Sequence, residues 1–287
     1  MSTDMVDAPQ YKMLLCHRRT PGQSSKAFHA HWRGPRKRLV LGLQKELGFE
    51  SYAQVHQYCR WNLIYQGIRI SRSRFVTDLF ARKEGQQIGP KPDRQTTLAE
   101  RWDVVEELIY PSRETLVAAL TAAAGHQAGA RLVEDQRPRV RRTAVMAVEV
   151  NPVIRPDGSF PPVTTLFFLR SRPPLDRAQM IDYWKNSHSK FFASFQDALD
   201  YSSYDQMYVR DGEDLTRAID TLGGSAGDPF DAVARVAYNN QWTVAKGFLN
   251  LRTQIANIRL IKDEVTFIDG GRSTLMLGEA DQFSSGV

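Results

Sequence analysis

The sequence has few cysteines and no long apolar run. Its two cysteines, Cys16 and Cys59, are too few for a disulfide scaffold or a four-cysteine metal site. No apolar stretch reaches the roughly 18 to 20 residues that a membrane-spanning helix requires. The N-terminal segment includes Asp4 and Asp7 and no apolar stretch, unlike a secretory signal peptide. We therefore expect a cytoplasmic protein that does not span a membrane.

Motifs for nucleotides, metals and nucleic acids are also missing. No glycine-rich loop follows a predicted strand with the spacing of a P-loop or a dinucleotide site, and no zinc-type ligand spacing occurs. His29 and His31 stand at i and i+2, on different sides of a helix, which makes them poor joint ligands. The net charge is +6, but the basic residues are scattered and no helix-turn-helix pattern accompanies them. The composition fits an enzyme with an anionic small-molecule substrate and without a metal, a cofactor or a nucleic-acid partner.

The chain has ample core-forming material and an internal repeat. Hydrophobic residues make up 42% of it, with 14 Phe and 5 Trp, so we expect a folded protein. A shift of 152 residues aligns the two halves, and beyond an insertion in the first half the shift becomes 128. Aligned pairs include Leu14 with Leu166, Trp32 with Trp184, Tyr52 with Tyr204, Gln54 with Gln206, Asp103 with Asp231 and Asp135 with Asp263. A single gap reconciles the alignment, which indicates a duplication.

Both halves show the same order of predicted elements. Short apolar runs predict strands, and apolar spacings of three and four predict a helix after the first strand. The predicted strands are 11–17, 52–56, 102–108 and 143–150 in the first half and 163–169, 204–208, 230–236 and 273–277 in the second. The order β-α-β-β-α-β is that of a ferredoxin-like unit, whose sheet has one bare face. We therefore expect an α+β fold in which two tandem ferredoxin-like repeats pack sheet to sheet as an intramolecular pseudo-dimeric α/β barrel.

The repeat also sets the expected boundaries. We expect a disordered N-terminus over 1–10, a first repeat over 11–152, a second repeat over 160–280 and a flexible tail over 281–287. The first repeat carries the insertion, at about 60–98, which begins with helical apolar periodicity. We interpret this insertion as a lid over a first-half pocket or as a dimer contact, and a homodimer is compatible with either interpretation.

Three segments of the first half resemble EthD-type members of the dimeric α/β-barrel superfamily. They are Phe28-His29-Ala30-His31-Trp32, Tyr52-Ala53-Gln54-Val55-His56 and the pair Trp102-Asp103, and the second half has similar residues at the aligned positions. The resemblance implies the barrel fold. The superfamily includes lyases, isomerases, cyclases, cofactor-free monooxygenases and haem proteins, so the resemblance does not by itself select a reaction.

Each half departs from the family pattern at a different position. The family has a histidine four residues after the helix tryptophan, which the second half keeps as His188 and the first half replaces with Arg36. The strand histidine of the family is His56 in the first half, whereas the second half has Tyr208. Since each half has lost something that the other kept, the pattern favours one specialised pocket over two equivalent pockets.

Two histidines and two tyrosines are the candidate catalytic residues. His188 lies on the apolar stripe of its helix, and His56 is the second candidate acid or base, because an imidazole titrates near neutral pH. The alternative for His188 is a core histidine bonded to a backbone carbonyl. Tyr52 and Tyr204 would stabilise a developing oxyanion by hydrogen bonding.

Side chains on the predicted first helices are candidates for substrate binding. Trp32 and Trp184 would hold an aromatic ring. Arg36 would clamp a carboxylate or phenolate, or instead form an internal salt bridge to Asp103 or Glu106, since a buried guanidinium needs an anionic partner.

Polar side chains on the second and third strands complete the candidate site. Gln54, Gln206 and Tyr208 share strand faces with the candidate tyrosines and would line the pocket, unless these strands are exposed edges. Asp103 and Asp231 follow an aromatic residue at the start of the third strand. They would orient a histidine or contact the substrate, or simply cap the chain there.

We therefore expect a cofactor-independent lyase that acts on a small aromatic or polyketide-like anionic substrate. The reaction would be a dehydration, a decarboxylation or the loss of a small aldehyde, of the kind found in aromatic-compound catabolism. The alternatives are a cofactor-free monooxygenase on a phenolic substrate, a haem enzyme with an axial histidine, and a non-catalytic ligand-binding accessory protein of an oxygenase system.

Overall fold

The computed structural model describes residues 10–58, 102–156, 160–224, 230–247 and 250–284. The insertion predicted at 60–98 lies outside these ranges, as do residues 1–9 of the predicted disordered N-terminus, whereas Gln10 begins the first strand. Of the helices described, none is both long enough and apolar enough to cross a membrane.

The described ranges contain eight strands, and each overlaps a strand predicted from the apolar runs. They are β1 (Gln10–Arg19), β2 (Ser51–Gln57), β3 (Val104–Tyr110), β4 (Val140–Ile154), β5 (Val163–Leu169), β6 (Ser203–Val209), β7 (Ala232–Tyr238) and β8 (Thr274–Ser284). The flexible tail predicted from residue 281 is wrong over 281–284, because β8 continues there and pairs with β2. Without this extension, one edge of β2 would present unpaired backbone groups.

Helices cover the outer face of the strands. They are α1 (Ser25–His31), α2 (Lys37–Gly42), α3 (Gln44–Leu47), α4 (Arg113–Thr121), α5 (Ala123–Gln136), α6 (Arg177–Tyr183), α7 (Ser189–Ala193), α8 (Gln196–Leu199), α9 (Glu213–Thr221), α10 (Gln241–Gly247) and α11 (Leu251–Phe267). The side chains of Ser24 and Asp176 accept backbone N–H groups at the starts of α1 and α6. Both helices therefore begin at the aligned positions that suit an N-cap.

A π-helical turn follows the first helix of both halves. These turns, π1 (Trp32–Arg36) and π2 (Trp184–His188), occupy positions related by the 152-residue shift. Each begins with a tryptophan that is at most 1% exposed. Because π-helical turns in proteins are frequent at functional sites, both turns are candidate locations for such a site.

The eight strands form a closed antiparallel barrel in the order β1-β3-β2-β8-β5-β7-β6-β4. Within each half the first strand lies between the third and the fourth, and the second strand pairs with the third. The two halves are joined by the pairs β2–β8 and β4–β6. The prediction of an α+β barrel within one chain is thus confirmed, and the halves are hydrogen-bonded edge to edge as well as facing each other.

Apolar side chains from both halves fill the barrel interior. Strand alternation directs every second residue inward, so that Leu14 and Val105 meet Leu166, Phe168 and Met207 there. The residues that alternate with them point outward and pack beneath the helices in two large clusters, of which the first-half one also includes Leu215, Ala218 and Leu222 from α9 and the residue after it. The sheet therefore separates the barrel interior from the space beneath the helices.

Contact between the halves also occurs in the helical layer, where α5 packs closely against α9. A methyl group added at Gly129 of α5 would overlap the carbonyl oxygen of Thr221 in α9, whereas one added at Gly42 of α2 would meet no atom within 4 Å.

Gly129→Ala is expected to lower the free energy of unfolding by about 1 to 3 kcal/mol, because the overpacked helices must separate. Gly42→Ala, the matched control, should leave stability unchanged or raise it by up to about 1 kcal/mol, because alanine favours helix. Urea unfolding of the two variants measures the difference. Equal effects would show that the α5–α9 contact is loose.

Candidate active site

Strand β2 carries a row of buried polar side chains that face the helices of the first half. Tyr52, Gln54 and His56 alternate along the strand and are 0%, 0% and 2% exposed. β2 pairs with β3 on one side and with β8 on the other. The alternative that this strand is an exposed edge is therefore wrong, and the row lies between sheet and helix.

Gln54 is the centre of this row. Its Nε2 donates hydrogen bonds to the backbone oxygen of Trp32, at 2.9 Å, and to the hydroxyl of Tyr52, at 2.5 Å. Its Oε1 lies 2.8 Å from His56 Nε2. Because both amide hydrogens are used, the orientation of the amide is fixed and Oε1 is left as an acceptor. His56 Nε2 must then be the protonated nitrogen of its ring.

His29, on α1, continues the chain of hydrogen bonds. Its Nδ1 lies 3.0 Å from His56 Nδ1. Burial, and then the charge of Arg33, lower the pKa of His29 to about 4 and the pKa of His56 to about 3. Both rings are therefore neutral near pH 7.

These protonation states assign the tautomer of each histidine. His56 carries its proton on Nε2, so its Nδ1 accepts, and His29 must donate from Nδ1. The remaining nitrogen, His29 Nε2, then holds a lone pair. It is buried and has no hydrogen-bond partner among the residues described. His29 thus presents an oriented, unprotonated nitrogen, the arrangement expected of a general base.

Sequence reasoning missed His29 because it was considered only as a metal ligand together with His31. His31 instead pairs with Asp135, at 3.1 Å. A usable signal was present in the repeat, since the residue aligned with His29 is Ile181. A polar side chain that replaces an apolar one on a buried helix face indicates a function beyond packing. In the described ranges, no three His, Cys, Asp or Glu side chains are grouped to hold a metal ion.

The other end of the row leads to a buried ionic cluster around Glu106 of β3. The carboxylate accepts hydrogen bonds from Tyr52 Oη, from Arg36 Nη2 at 3.0 Å and from His17 Nε2 at 2.8 Å. Burial alone would raise the pKa of Glu106, but Arg36 and His17 hold it well below its usual range. Glu106 is therefore a permanent anion that anchors the tyrosine.

Arg36 belongs to this cluster and is fully buried. Its Nη1 donates to the backbone oxygen of Leu132 at 2.7 Å and lies 3.5 Å from Asp135 Oδ2. With Glu106 on its other side, the guanidinium is occupied by the protein. The substrate clamp predicted for Arg36 is thus wrong, and the alternative, an internal salt bridge to Glu106, is the observed arrangement.

Among the described residues, the carboxylate of Asp103 bonds neither Arg36 nor a histidine side chain. Its carboxylate accepts the backbone N–H of Arg19 at 3.0 Å and pairs with the Arg19 guanidinium. Asp231 accepts the backbone N–H of Ser171 at 2.7 Å, the aligned contact of the second half. These contacts fit the capping alternative and give no support to a substrate-binding role.

The predicted ring-holding tryptophans are covered by the protein's own side chains. Trp32 stacks on Phe28 with ring centroids 4.1 Å apart. Trp184 Nε1 donates to the hydroxyl of Tyr204 at 3.0 Å. Both indoles are therefore part of the buried core beneath the π-helical turns.

The second half repeats the row without histidines. Gln206 donates to the backbone oxygen of Trp184, at 2.9 Å, and to the hydroxyl of Tyr204, at 3.2 Å. Tyr208, aligned with His56, donates to Gln206 Oε1 at 2.7 Å. Burial raises the pKa of Tyr208 to about 12 and that of Tyr204 further still, so both phenols stay neutral near pH 7. This row holds no group that is a base near neutral pH.

His188 lies at the end of π2, and its hydrogen bond is made to Asp263 and not to this row. Its Nδ1 is 2.6 Å from Asp263 Oδ2, and its ring packs against Phe192 and Phe267. Asp263 also accepts from Tyr183 at 2.6 Å. The structure thus brings His56, Tyr52 and Gln54 together but places His188 in a different set of contacts, and its catalytic role stays a prediction.

The sequence matches no known family model and no curated protein sequence. Among solved structures, an anthrone oxidase-like protein superposes with a TM-score of 0.57 at 8% identity, over 98% of this chain and 95% of its own. Provisionally assigned monooxygenases from Fusobacterium nucleatum subsp. nucleatum ATCC 25586 and Lactobacillus acidophilus NCFM give TM-scores of 0.49 and 0.46, at 8% and 9% identity, over 98% and 97% of this chain and 97% of each of theirs. At such identities the likeness shows the fold alone, a closed eight-stranded barrel covered by helices.

Glu106→Gln is expected to lower the free energy of unfolding by about 3 to 5 kcal/mol, because it leaves Arg36 buried without its counter-charge. Glu213→Gln, which removes an exposed carboxylate paired with Arg217, is the control and should change stability little. Urea unfolding at neutral pH measures both variants. A loss below about 1 kcal/mol for Glu106→Gln would show that the cluster contributes little.

The histidine pair should make stability depend on pH. The unfolded chain protonates His29 and His56 near pH 6.5, whereas the folded protein resists until about pH 4 and about pH 3. Stability is therefore complete above pH 6.5 and falls as the pH is lowered, by at most about 1.4 kcal/mol per pH unit for each histidine.

Urea unfolding at several pH values between 6.5 and 5 measures this slope. His56→Gln should reduce it, and His126→Gln, outside the chain of hydrogen bonds, should not. An unchanged slope in His56→Gln would contradict the assignment.

Proposed function

We propose that this protein is a cofactor-free oxygenase in which His29 Nε2 is the general base for a weakly acidic phenolic or aromatic ketone substrate. The observation that carries the proposal is the unpartnered lone pair of His29. The ring is held by His56, which is held in turn by Gln54. A base fixed in position typically contributes about 10²- to 10⁴-fold to a rate.

Proton abstraction from an activated CH₂ group is the first step of the proposed reaction. The C–H electron pair passes into the aromatic system, and the resulting carbanion gives an electron to O₂. The two radicals then combine to form a C–O bond and a peroxide. Loss of water converts the carbon to a carbonyl, so that CH₂ and O₂ yield C=O and H₂O, with O₂ as the oxidant. The proton held by His29 leaves with that water.

The chain of hydrogen bonds assists by supporting the protonated state of His29. When Nε2 takes up the proton, Nδ1–H continues to donate to His56 Nδ1, so neither ring needs to rotate. Arg33 opposes this protonation in the free enzyme, since its charge lowers the pKa of His29. A substrate anion formed next to the imidazolium would offset that repulsion.

The comparison supports oxygenation over elimination, because an anthrone oxidase-like protein superposes on this chain with a TM-score of 0.57. A lyase would begin with the same proton abstraction, so the predicted lyase activity stays an alternative. The two reactions are distinguished by O₂, which the oxygenase requires and the lyase does not. The accessory, non-catalytic role differs from both, since it involves no chemical change.

We also infer that the chain is a tandem repeat of an EthD-like ferredoxin unit whose first copy keeps the chemistry. Aligned residues make aligned contacts, as in the bonds of Gln54 to the Trp32 oxygen and of Gln206 to the Trp184 oxygen. The second copy has Ile181 and Tyr208 at the positions of the two histidines. The active pocket of the proposal is therefore in the first half.

His29→Ala should lower the turnover of anthrone by about 10²- to 10⁴-fold while leaving the folded structure intact. His188→Gln is the matched control and should keep most of the activity. The acid limb of the kcat/KM profile should fall near pH 4, where His29 is protonated in the free enzyme. Loss of activity in His188→Gln but not in His29→Ala would move the base to the second half.

The same assay with an oxygen electrode separates the reaction classes. The proposal requires one O₂ consumed for each carbonyl formed and no product under nitrogen. Product formed under nitrogen would identify a lyase, and tight binding without product would identify an accessory protein. A visible absorption spectrum of the purified protein completes the test, because a Soret band would replace the cofactor-free mechanism with haem chemistry.

A further inference from the structure

A second group of buried polar side chains lies inside the barrel, on the opposite face of the sheet from the histidines. Lys12 on β1, Glu107 on β3 and Arg235 on β7 alternate with outward-facing residues and are each at most 4% exposed. Glu107 Oε2 accepts from Lys12 Nζ at 2.9 Å and from Arg235 Nη1 at 2.9 Å. The proposed oxygenase reaction uses none of these three residues.

Two cations in this group share one carboxylate. A buried cation that lacks a full counter-charge is costly, and a bound anion would remove that cost. Asp205 lies opposite Arg235 in the β6–β7 register; burial raises its pKa, and the nearby charges of Lys12 and Arg235 lower it.

Two donors in this region have no hydrogen-bond partner within the described ranges, namely Arg235 Nη2 and Thr164 Oγ1. In the β5–β7 register Leu166 is opposite Arg235 and Thr164 is opposite Ala237, so Thr164 is a diagonal neighbour of Arg235 on the inward face. On its other side Thr164 is opposite Gly278 of β8. Both of these neighbours are small residues without a polar side chain, so neither gives the buried hydroxyl a side-chain partner.

The aromatic ring of Phe160 orients the guanidinium group. Arg235 Cζ lies 4.6 Å from the ring centroid, a stacking distance that fixes the plane of the fork. An oriented guanidinium N–H and a nearby hydroxyl together match the acceptors of a carboxylate. We propose that Arg235 Nη2 and Thr164 Oγ1 bind a small carboxylate inside the barrel.

The test is thermal unfolding of the full-length protein in sodium formate and in sodium chloride of equal ionic strength. Formate should raise the midpoint saturably beyond the effect of chloride, because a ligand of the folded state stabilises it by mass action. Thr164→Val, which keeps the shape but removes the hydroxyl, should weaken the apparent affinity for formate by at least about tenfold.

The neighbouring residue supplies a matched control. Thr165 is equally buried and its hydroxyl also has no partner among the described residues, but it points to the helix side of β5. Thr165→Val should therefore keep the response to formate. Arg235→Lys, which keeps a charge beside Glu107 but lacks Nη2, should behave as Thr164→Val does.

The proposal is overturned if formate stabilises no more than chloride, if Thr164→Val keeps the wild-type response, or if Thr165→Val loses as much. A titration of isotope-labelled formate followed by NMR ranks the same variants without unfolding them. Because neither readout involves turnover, the result is independent of the proposed oxygenase reaction.

Discussion

A hydrogen bond from a strand glutamine to the carbonyl oxygen of a helix tryptophan is the contact on which both halves depend. Gln54 makes it with Trp32, and Gln206 makes it with Trp184. The bond ties the helical layer to the sheet at a π-helical turn and uses one amide hydrogen, while the adjacent tyrosine takes the other. The glutamine oxygen is thereby left to the next residue of the row. His56 at that position extends the chain of hydrogen bonds to His29, whereas Tyr208 at the aligned position donates its hydroxyl back to the glutamine.

Strand β3 carries a buried carboxylate on each of its two faces. Its consecutive residues Glu106 and Glu107 point to opposite faces, and both are almost completely buried. Glu106 is neutralised on the helix side by Arg36, whereas Glu107 holds Lys12 and Arg235 inside the barrel. Burying a carboxylate is costly unless cations and hydrogen bonds compensate for it. Two such compensated sites on one strand make β3 the element where substitutions should be tolerated least.

Much of the fold could be predicted from the sequence because its signals are periodic. Apolar runs located the strands, and the repeat implied that the chain closes its own barrel. The site was only partly predictable: the salt bridge of Arg36 to Glu106 was among the alternatives, whereas the bond of His17 to Glu106 was missed because the sheet register brings those two residues together. His29 was missed because it was weighed only as a metal ligand with His31, although the apolar Ile181 at the aligned position was a usable signal. The last residues of β8 were missed because a polar segment such as 281–284 becomes a strand only when a neighbouring strand offers its edge.

Both strand pairs that join the two halves lie within one chain, and this affects how the barrel assembles. The pairs β2–β8 and β4–β6 form between segments whose effective concentration is set by covalent connection, of the order of millimolar for short linkers, and not by the amount of protein present. A barrel formed from two copies of one chain would come apart on dilution, and its halves would be identical. Here closure is independent of dilution. The two halves are therefore free to differ, one keeping imidazoles and the other phenols at the same place in the fold.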